Sequence, residues 1–304
     1  METLMIETRG LRKAFGATTV LTAVDLSVPR GQVLGLLGPN GAGKTTTVEI
    51  LSTLLRPDGG TATVAGHDVV RAGDRVRESI SLTGQYTAVD QLLTGRENLR
   101  LMARLAHLPR AAGRQRGDDL LALFDLDDAA DRLVRTYSGG MRRRLDLAVS
   151  LLTQPQVIFL DEPTTGLDPR SRQDLWAVIR DVVADGATVL LTTQYLDEAD
   201  ALADRVAVLD RGRVIADGTA EQLKHQVGTA HVELVLAGGG TERVRTDASV
   251  PDVRRILADV ELRGLPVERW RVAVPTLDDV FLTLTGRPAG PAPDPAAAPA
   301  QEAS

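Results

Sequence analysis

The chain has 304 residues, which is enough for one large domain with an appendage or for two domains. The absence of cysteine excludes disulfides and thiolate chemistry, and the net charge of −6 disfavours general nucleic-acid binding. No stretch approaches the ~20 apolar residues that a membrane span needs. The N-terminal segment has acidic residues and no long apolar core, so we expect no signal peptide and a cytoplasmic location.

The first 30 residues are predicted to form strands and turns. Phe15 lies a short strand pair before a glycine-rich loop, where an aromatic ring can stack on a nucleotide base. A core position explains this residue equally well from the sequence alone.

The segment 38–45 fits the phosphate-loop pattern Gly-x4-Gly-Lys-Ser/Thr. An apolar run at 32–37 predicts a buried strand before it, and a helix is predicted over 45–55 after it, which disfavours a chance glycine-rich turn. Such a loop wraps a polyphosphate with backbone N–H groups; we expect Lys44 to reach the β- and γ-phosphates and Thr45 to hold Mg²⁺. The predicted phosphate-binding residues are Gly38, Pro39, Asn40, Gly41, Ala42, Gly43, Lys44, Thr45 and Thr46.

A helical, arginine-rich segment is predicted from about residue 88 to 137. Thr94 and Glu97 form a capping box that starts one helix, Pro109 stops it, and a second helix is predicted over 118–124. The arginines of this segment include Arg96, Arg100, Arg104, Arg110, Arg114 and Arg116. Such a charge run is usually a solvated face, and the alternative is a docking face for a partner or a lipid surface.

Two further segments carry candidate functional residues. Ser138-Gly139-Gly140 precedes a helix with an apolar stripe; we place Ser138 as its N-cap, with accessible N–H groups that suit a second phosphate, although this tripeptide is also a common turn. Asp161 and Glu162 end the apolar run 157–160, which predicts a buried parallel strand. Asp161 suits a Mg²⁺ contact and Glu162 suits the base that activates water, whereas a strand simply leaving the core is the alternative.

The rest of the chain predicts a domain and a small appendage. Asp168-Pro169 caps another helix, and a strand at 187–191 leads to Gln194. Alternating strands and helices predict an α/β domain over residues 1–228. Residues 229–286 read as a small α+β domain, and the Pro/Ala-rich residues 287–304 predict a disordered tail.

Residues from about 3 to 228 resemble the nucleotide-binding subunit of an ABC transporter, because that family's motifs occur here in the same order. They are the phosphate loop, Gln85, the signature at 137–141, Asp161-Glu162, Gly166-Leu167-Asp168 and the switch position 194. The segments 192–200 and 277–281 resemble in particular the daunorubicin-type drug-resistance exporters.

The resemblance implies a P-loop NTPase fold with an ABC ATPase core, a helical subdomain at about 88–137 and the C-terminal appendage. ATP and Mg²⁺ are the expected cofactors, and two copies are expected to pair head to tail around two ATP molecules. The implied nucleotide contacts beyond the phosphate loop are Phe15, Gln85, Ser138, Gly139, Gly140 and Asp168. The implied metal contacts are Thr45, Gln85 and Asp161, and the implied catalytic residues are Glu162, Gln194 and Lys44.

The function that this implies is ATP hydrolysis at the cytoplasmic face of the membrane, driving a separate integral permease that expels a drug or antibiotic-like compound. The ATPase of an importer shares the same motifs and is one alternative. A soluble ABC ATPase acting on ribosomes or DNA is another, which the single phosphate loop and the negative charge disfavour. Two positions depart from the family pattern: Met141 replaces the usual glutamine and Gln194 the usual histidine.

Overall fold

The computed structural model describes residues 3–84 and 89–286, and its contacts divide them into two units. The first unit comprises residues 3–217 and the second residues 218–286. Two predictions, the nucleotide and metal contact of Gln85 and the disordered tail 287–304, lie outside the described residues.

The first unit alternates strands with helices, as the sequence predicts. Its strands are β1 (Leu4–Phe15), β2 (Thr18–Pro29), β3 (Val33–Leu37), β4 (Gly59–Val64), β5 (His67–Asp68), β6 (Ile80–Thr83), β7 (Val157–Asp161), β8 (Thr188–Thr193), β9 (Arg205–Asp210) and β10 (Arg213–Gly218). Its helices are α1 (Lys44–Leu51), α2 (Gly73–Ser79), α3 (Gly95–Leu105), α4 (Arg110–Leu123), α5 (Gly139–Ser150), α6 (Pro169–Ala184) and α7 (Leu196–Leu202).

The described strands of the first unit form one sheet in the order β5-β4-β1-β2-β10-β9-β3-β8-β7-β6. The strands β9, β3, β8, β7 and β6 pair in parallel, whereas β1 pairs antiparallel with β2 and with β4. Leu37 lies opposite Thr193, and Asp161 lies opposite Thr192. The carboxyl ends of β3, β8 and β7 therefore meet at one edge, where ligands bind in open α/β sheets.

Both faces of the parallel strands are covered, which explains their continuous apolar runs. Val157 and Phe159 of β7 belong to a core cluster with the antiparallel strands and α1. Ile158 and Leu160 point the other way, into a second cluster formed with helices α3 to α6. The helical segment therefore shares its core with one face of the sheet.

Helix α4 corrects one prediction, because it begins at Arg110 and not near residue 118. Gly113 and Gly117 lower the helix propensity of its first half, but they serve close packing against α3. A Cβ at Gly113 would lie 2.9 Å from the Ala103 Cβ, and one at Gly117 would lie 3.4 Å from the Leu99 Cβ. Helix α1 also ends at Leu51, earlier than predicted, and Thr53 just beyond it has a φ of 67°.

The second unit is a small antiparallel sheet with helices. It contains α8 (Ala220–Val227), β11 (His231–Leu236), β12 (Thr241–Arg245), α9 (Val250–Leu262), β13 (Val267–Ala273) and α10 (Leu277–Thr285). The sheet order is β12-β11-β13, and α9 packs its apolar face on it. The contacts group α8 with this unit because it packs against α10, so the division falls earlier than residue 228. None of the helices within 3–84 and 89–286 is long and apolar enough to cross a bilayer.

Candidate nucleotide-binding site

The phosphate loop joins β3 to α1, and close packing requires its glycines. Gly41 and Gly43 have φ values of 80° and 109°, which glycine adopts without strain. A Cβ at Gly43 would lie 2.5 Å from the Leu21 Cδ2 of β2, and one at Gly38 would lie 2.4 Å from the Leu209 carbonyl oxygen. The first turn of α1 has no side-chain cap, so its N–H groups suit a bound anion.

Lys44 is the buried cation of this loop, with only 5% of its surface exposed. Its Nζ donates to the Gly38 carbonyl at 2.8 Å and lies 3.8 Å from the Glu162 Oε1. Burial lowers the pKa of the Lys44 ammonium, and the charges of Glu162 and Asp161 act in the opposite direction. Lys44 and the two carboxylates thus occupy one site.

Asp161 and Thr45 place oxygen atoms side by side. The Thr45 Oγ1 lies 3.2 Å from the Asp161 Oδ2, and the hydroxyl of Thr192 donates a hydrogen bond to Asp161. Carboxylate and hydroxyl oxygens are the donors that Mg²⁺ takes from a protein when phosphate oxygens supply further ligands. The residues present therefore fit a Mg²⁺ ion bound together with a nucleotide.

Glu162 follows Asp161 in a strained backbone conformation, with a φ of 49°. A residue other than glycine held in this region costs about 1–3 kcal/mol. Its backbone N–H donates to the Thr192 carbonyl at 3.0 Å and contacts the Thr192 hydroxyl at 3.2 Å. The Glu162 side chain is half-buried.

Gln194 lies at the same sheet edge, directly after Thr193, which pairs with Leu37, whereas Phe15 lies on the antiparallel part of the sheet. Gln194 follows the end of β8, is half-buried, and its side chain makes no hydrogen bond to residues 3–84 or 89–286. Phe15 ends β1 and is 48% exposed, and the Lys13 Nζ lies 5.5 Å from its ring centroid. The core alternative for Phe15 is therefore excluded, and its ring is accessible for stacking.

The signature residues form a second group with Asp168. The Ser138 Oγ accepts from the Met141 N–H at 3.2 Å, which confirms Ser138 as the N-cap of α5. Asp168 caps α6 and accepts from the Ser171 hydroxyl at 2.6 Å, and this bond lowers the pKa of Asp168. A Cβ at Gly140 would lie 2.6 Å from the Ser171 Oγ. Across the described ranges, no hydrogen bond or ion pair joins this group to Lys44, Asp161 or Glu162.

The structure adds Arg143 and Thr192, which the sequence analysis did not assign to the site. The buried Arg143 guanidinium donates to the Pro163 carbonyl through Nε and to the Gly84 carbonyl through Nη1, both at 2.8 Å. Its Nη1 also lies 3.3 Å from the Asp146 Oδ2. Pro163 follows Glu162 directly, so one side chain of α5 holds the backbone beside the candidate base. The arginine-rich start of α5 was the available signal, but its contacts are remote in sequence.

These features define a P-loop nucleotide-binding site, and comparisons with known proteins agree. The sequence profile of the family described as "ABC transporter" matches residues 21–165. The daunorubicin/doxorubicin resistance ATP-binding protein DrrA of Streptomyces peucetius is 50% identical over 310 residues, covering 94% of each chain. The Nod factor export ATP-binding protein I of Ralstonia nicotianae is 39% identical over 304 residues, covering 94% of this chain and 95% of its own.

A solved structure described as the ATP binding subunit of an ABC transporter superposes with a TM-score of 0.66 and 30% identity, covering 73% of this chain and 92% of its own. The chain belongs to the ABC transporter family. It is an ATP-binding and ATP-hydrolysing subunit of an exporter, and such subunits work with separate membrane permease components. The predicted P-loop fold and the resemblance to the daunorubicin-type resistance ATPases are both confirmed.

We predict that Arg143→Gln lowers the kcat of ATP hydrolysis at least about tenfold, since each lost hydrogen bond from a charged group contributes roughly 1.5–3 kcal/mol. Arg144→Gln is the matched control on the same helix, because the hydrogen bonds of the Arg144 side chain to described residues go only to Phe124 and Asp125. Steady-state hydrolysis and thermal unfolding are measured for both variants. Equal kcat values for the two folded variants would contradict the role of Arg143.

Proposed function

We propose that two copies of this chain bind two ATP molecules between them and use hydrolysis to drive a separate permease that expels a drug or antibiotic-like compound. The observation that carries the proposal is the group formed by Lys44, Asp161 and Glu162 behind the phosphate loop. The resistance and export relatives support the direction of transport and the class of compound. An importer or a non-transport ATPase is less consistent with these relatives.

In the proposed mechanism, the loop and Lys44 bind the phosphates of ATP. The Lys44 ammonium already donates to the Gly38 carbonyl, so a γ-phosphate near this atom meets a positioned cation. Thr45 and Asp161 would hold Mg²⁺, which neutralises developing charge on the phosphates. Phe15 would stack on the adenine ring through its exposed face.

Glu162 is proposed as the base that takes a proton from the attacking water. It lies beside Asp161 at the end of β7, and its carboxylate is 3.8 Å from the Lys44 Nζ. The bonds from its N–H to Thr192 hold the backbone from which the carboxylate extends. Gln194 is proposed to hold the same water, since its carboxamide can both donate and accept a hydrogen bond.

Ser138, Gly139, Gly140 and Asp168 are proposed to complete the site of the second copy. Ser138 and Gly139 are exposed at the start of α5, and they are not bonded to this chain's own Lys44 group within the described residues. A helix N-terminus with exposed donors suits a phosphate brought by another molecule. The pair would work on the cytoplasmic face of the membrane, with the helical segment 88–137 towards the permease and with no nucleic-acid partner.

Glu162→Gln should bind ATP with nearly unchanged affinity and hydrolyse it at least about 100-fold more slowly, because general-base catalysis contributes that much. The Lys44 contacts that hold the phosphates are untouched by this change. The variant should also accumulate as an ATP-dependent dimer during gel filtration. Glu261→Gln, on the exposed side of α9, is the control and should hydrolyse ATP normally. Near-normal turnover by Glu162→Gln would rule out Glu162 as the base.

Gln194→Ala is expected to slow hydrolysis by about tenfold, in line with one lost hydrogen bond to a charged group. Gln194→His should keep activity and add a pH dependence between about 6 and 7, where imidazole titrates and a carboxamide does not. The rates of the three proteins are compared across that pH range with the permease present. If the parent and Gln194→Ala have equal rates, Gln194 takes no part in the chemistry.

Mixing two inactive variants tests the shared site. Lys44→Ala and Ser138→Arg should each abolish hydrolysis, yet a heterodimer of the two keeps one intact site. At equal concentrations we expect recovery of about one quarter of the parent rate, because half of the dimers then carry one of two sites. Lys44→Ala mixed with the Lys44→Ala/Ser138→Arg double variant is the matched control and should stay inactive. No recovery in a mixture that forms dimers would overturn the head-to-tail arrangement.

A further inference from the structure

Helices α3 and α4 and the loop between them line an open basic cavity of about 410 Å³ that lies outside the nucleotide-binding site. Arg100 and Arg104 of α3 and Arg110 and Arg114 of α4 line it. We call the space between these four residues the arginine cavity. Its wall also includes Ala103 and Gly113, whose close approach brings the two helices together.

The four arginines are exposed and have no ion-pair partner within residues 3–84 and 89–286. This differs from Arg96 of the same helix α3, which pairs with Asp118 and Asp131. The pKa of Asp131 is lowered first by its hydrogen bond with Arg96 and further by the charges of Arg96 and Arg100. The Asp131 carboxylate, whose pKa the charge of Arg100 lowers, is thus already paired with the guanidinium of Arg96.

The spacing of the four arginines places like charges close together. Arg100 and Arg104 are four positions apart on α3, and Arg110 and Arg114 repeat that spacing on α4. Like charges at this spacing destabilise a helix, and here two such pairs line one cavity in a chain whose net charge is −6. A bound anion would remove the repulsion.

The shape of the donors indicates which anion. A guanidinium presents a planar fork of N–H groups that matches phosphate oxygens with two hydrogen bonds, whereas a point cation does not. A volume of about 410 Å³ lies within the range of small-molecule sites.

We propose that the arginine cavity binds a phosphate-bearing anion, either the headgroup of an anionic phospholipid or a soluble phosphate compound. This site is separate from the ATP phosphates, which the loop at 38–45 binds. It would let the helical segment respond to its surroundings without a change at the nucleotide.

The test uses the full chain saturated with ADP, so that the phosphate loop is occupied. Pyrophosphate is titrated by calorimetry, and vesicles of phosphatidylcholine with or without phosphatidylglycerol are tested by flotation. Arg104→Gln/Arg110→Gln should weaken binding at least about tenfold, because it removes one guanidinium group from each helix. Arg75→Gln/Arg254→Gln, two exposed arginines on other helices, is the matched control of equal charge change and should bind like the parent.

Binding of pyrophosphate supports a soluble ligand, and binding confined to vesicles with phosphatidylglycerol supports a lipid headgroup. If Arg104→Gln/Arg110→Gln unfolds in a thermal scan, Arg100→Gln/Arg114→Gln is used in its place. It should weaken binding by the same factor. The proposal is overturned if the parent binds neither probe, which would direct attention to a protein partner. Equal weakening by the control pair overturns it as well, since binding would then follow net charge alone.

Discussion

The parallel pairing of β3, β8 and β7 is the constraint on which the site depends. It brings three chain segments, remote in sequence, to one edge of the sheet: the phosphate loop, Asp161-Glu162 and the turn at Gln194. At that edge the buried Lys44 ammonium faces two carboxylates. Burial lowers the pKa of Lys44, whereas the negative charges of Glu162 and Asp161 raise it. A γ-phosphate would therefore enter a site that already holds opposed charges at fixed positions, which is how electrostatic preorganisation lowers a barrier.

The contacts of Arg143 connect this edge with the helical segment. Arg143 belongs to α5, the helix that the signature serine caps, and it bonds the backbone that follows β6 at Gly84 and the backbone that follows β7 at Pro163. Burial lowers the pKa of its guanidinium, while Asp146, Glu198 and Asp161 favour the charge. A movement of α5 would thus act on the backbone next to Glu162 through the hydrogen bonds of the buried Arg143 side chain.

Local motifs made much of the site predictable. The phosphate loop, the caps at Ser138 and Asp168, and the carboxylates at the end of β7 each depend on neighbours within a few residues, and in the structure they lie at the predicted ends of strands and helices. Thr192 and Arg143 were missed because their partners lie 31 and 59 residues away in sequence. The first half of α4 was missed because Gly113 and Gly117 disfavour a helix, and only contacts with Ala103 and Leu99 explain them.

The strained backbone of Glu162 shows how these remote contacts act together. A left-handed φ is unfavourable for glutamate, so neighbouring bonds must hold it. Thr192 accepts from the N–H of Glu162 on one side, and Arg143 binds the carbonyl of Pro163 on the other. Because Thr192 also donates to Asp161, a single hydroxyl links the proposed metal ligand to the proposed base. Contacts from β8 and α5 therefore hold the backbone that carries the two carboxylates, and the hydroxyl of Thr165 on the same segment adds a contact of 3.4 Å to the Glu162 Oε2.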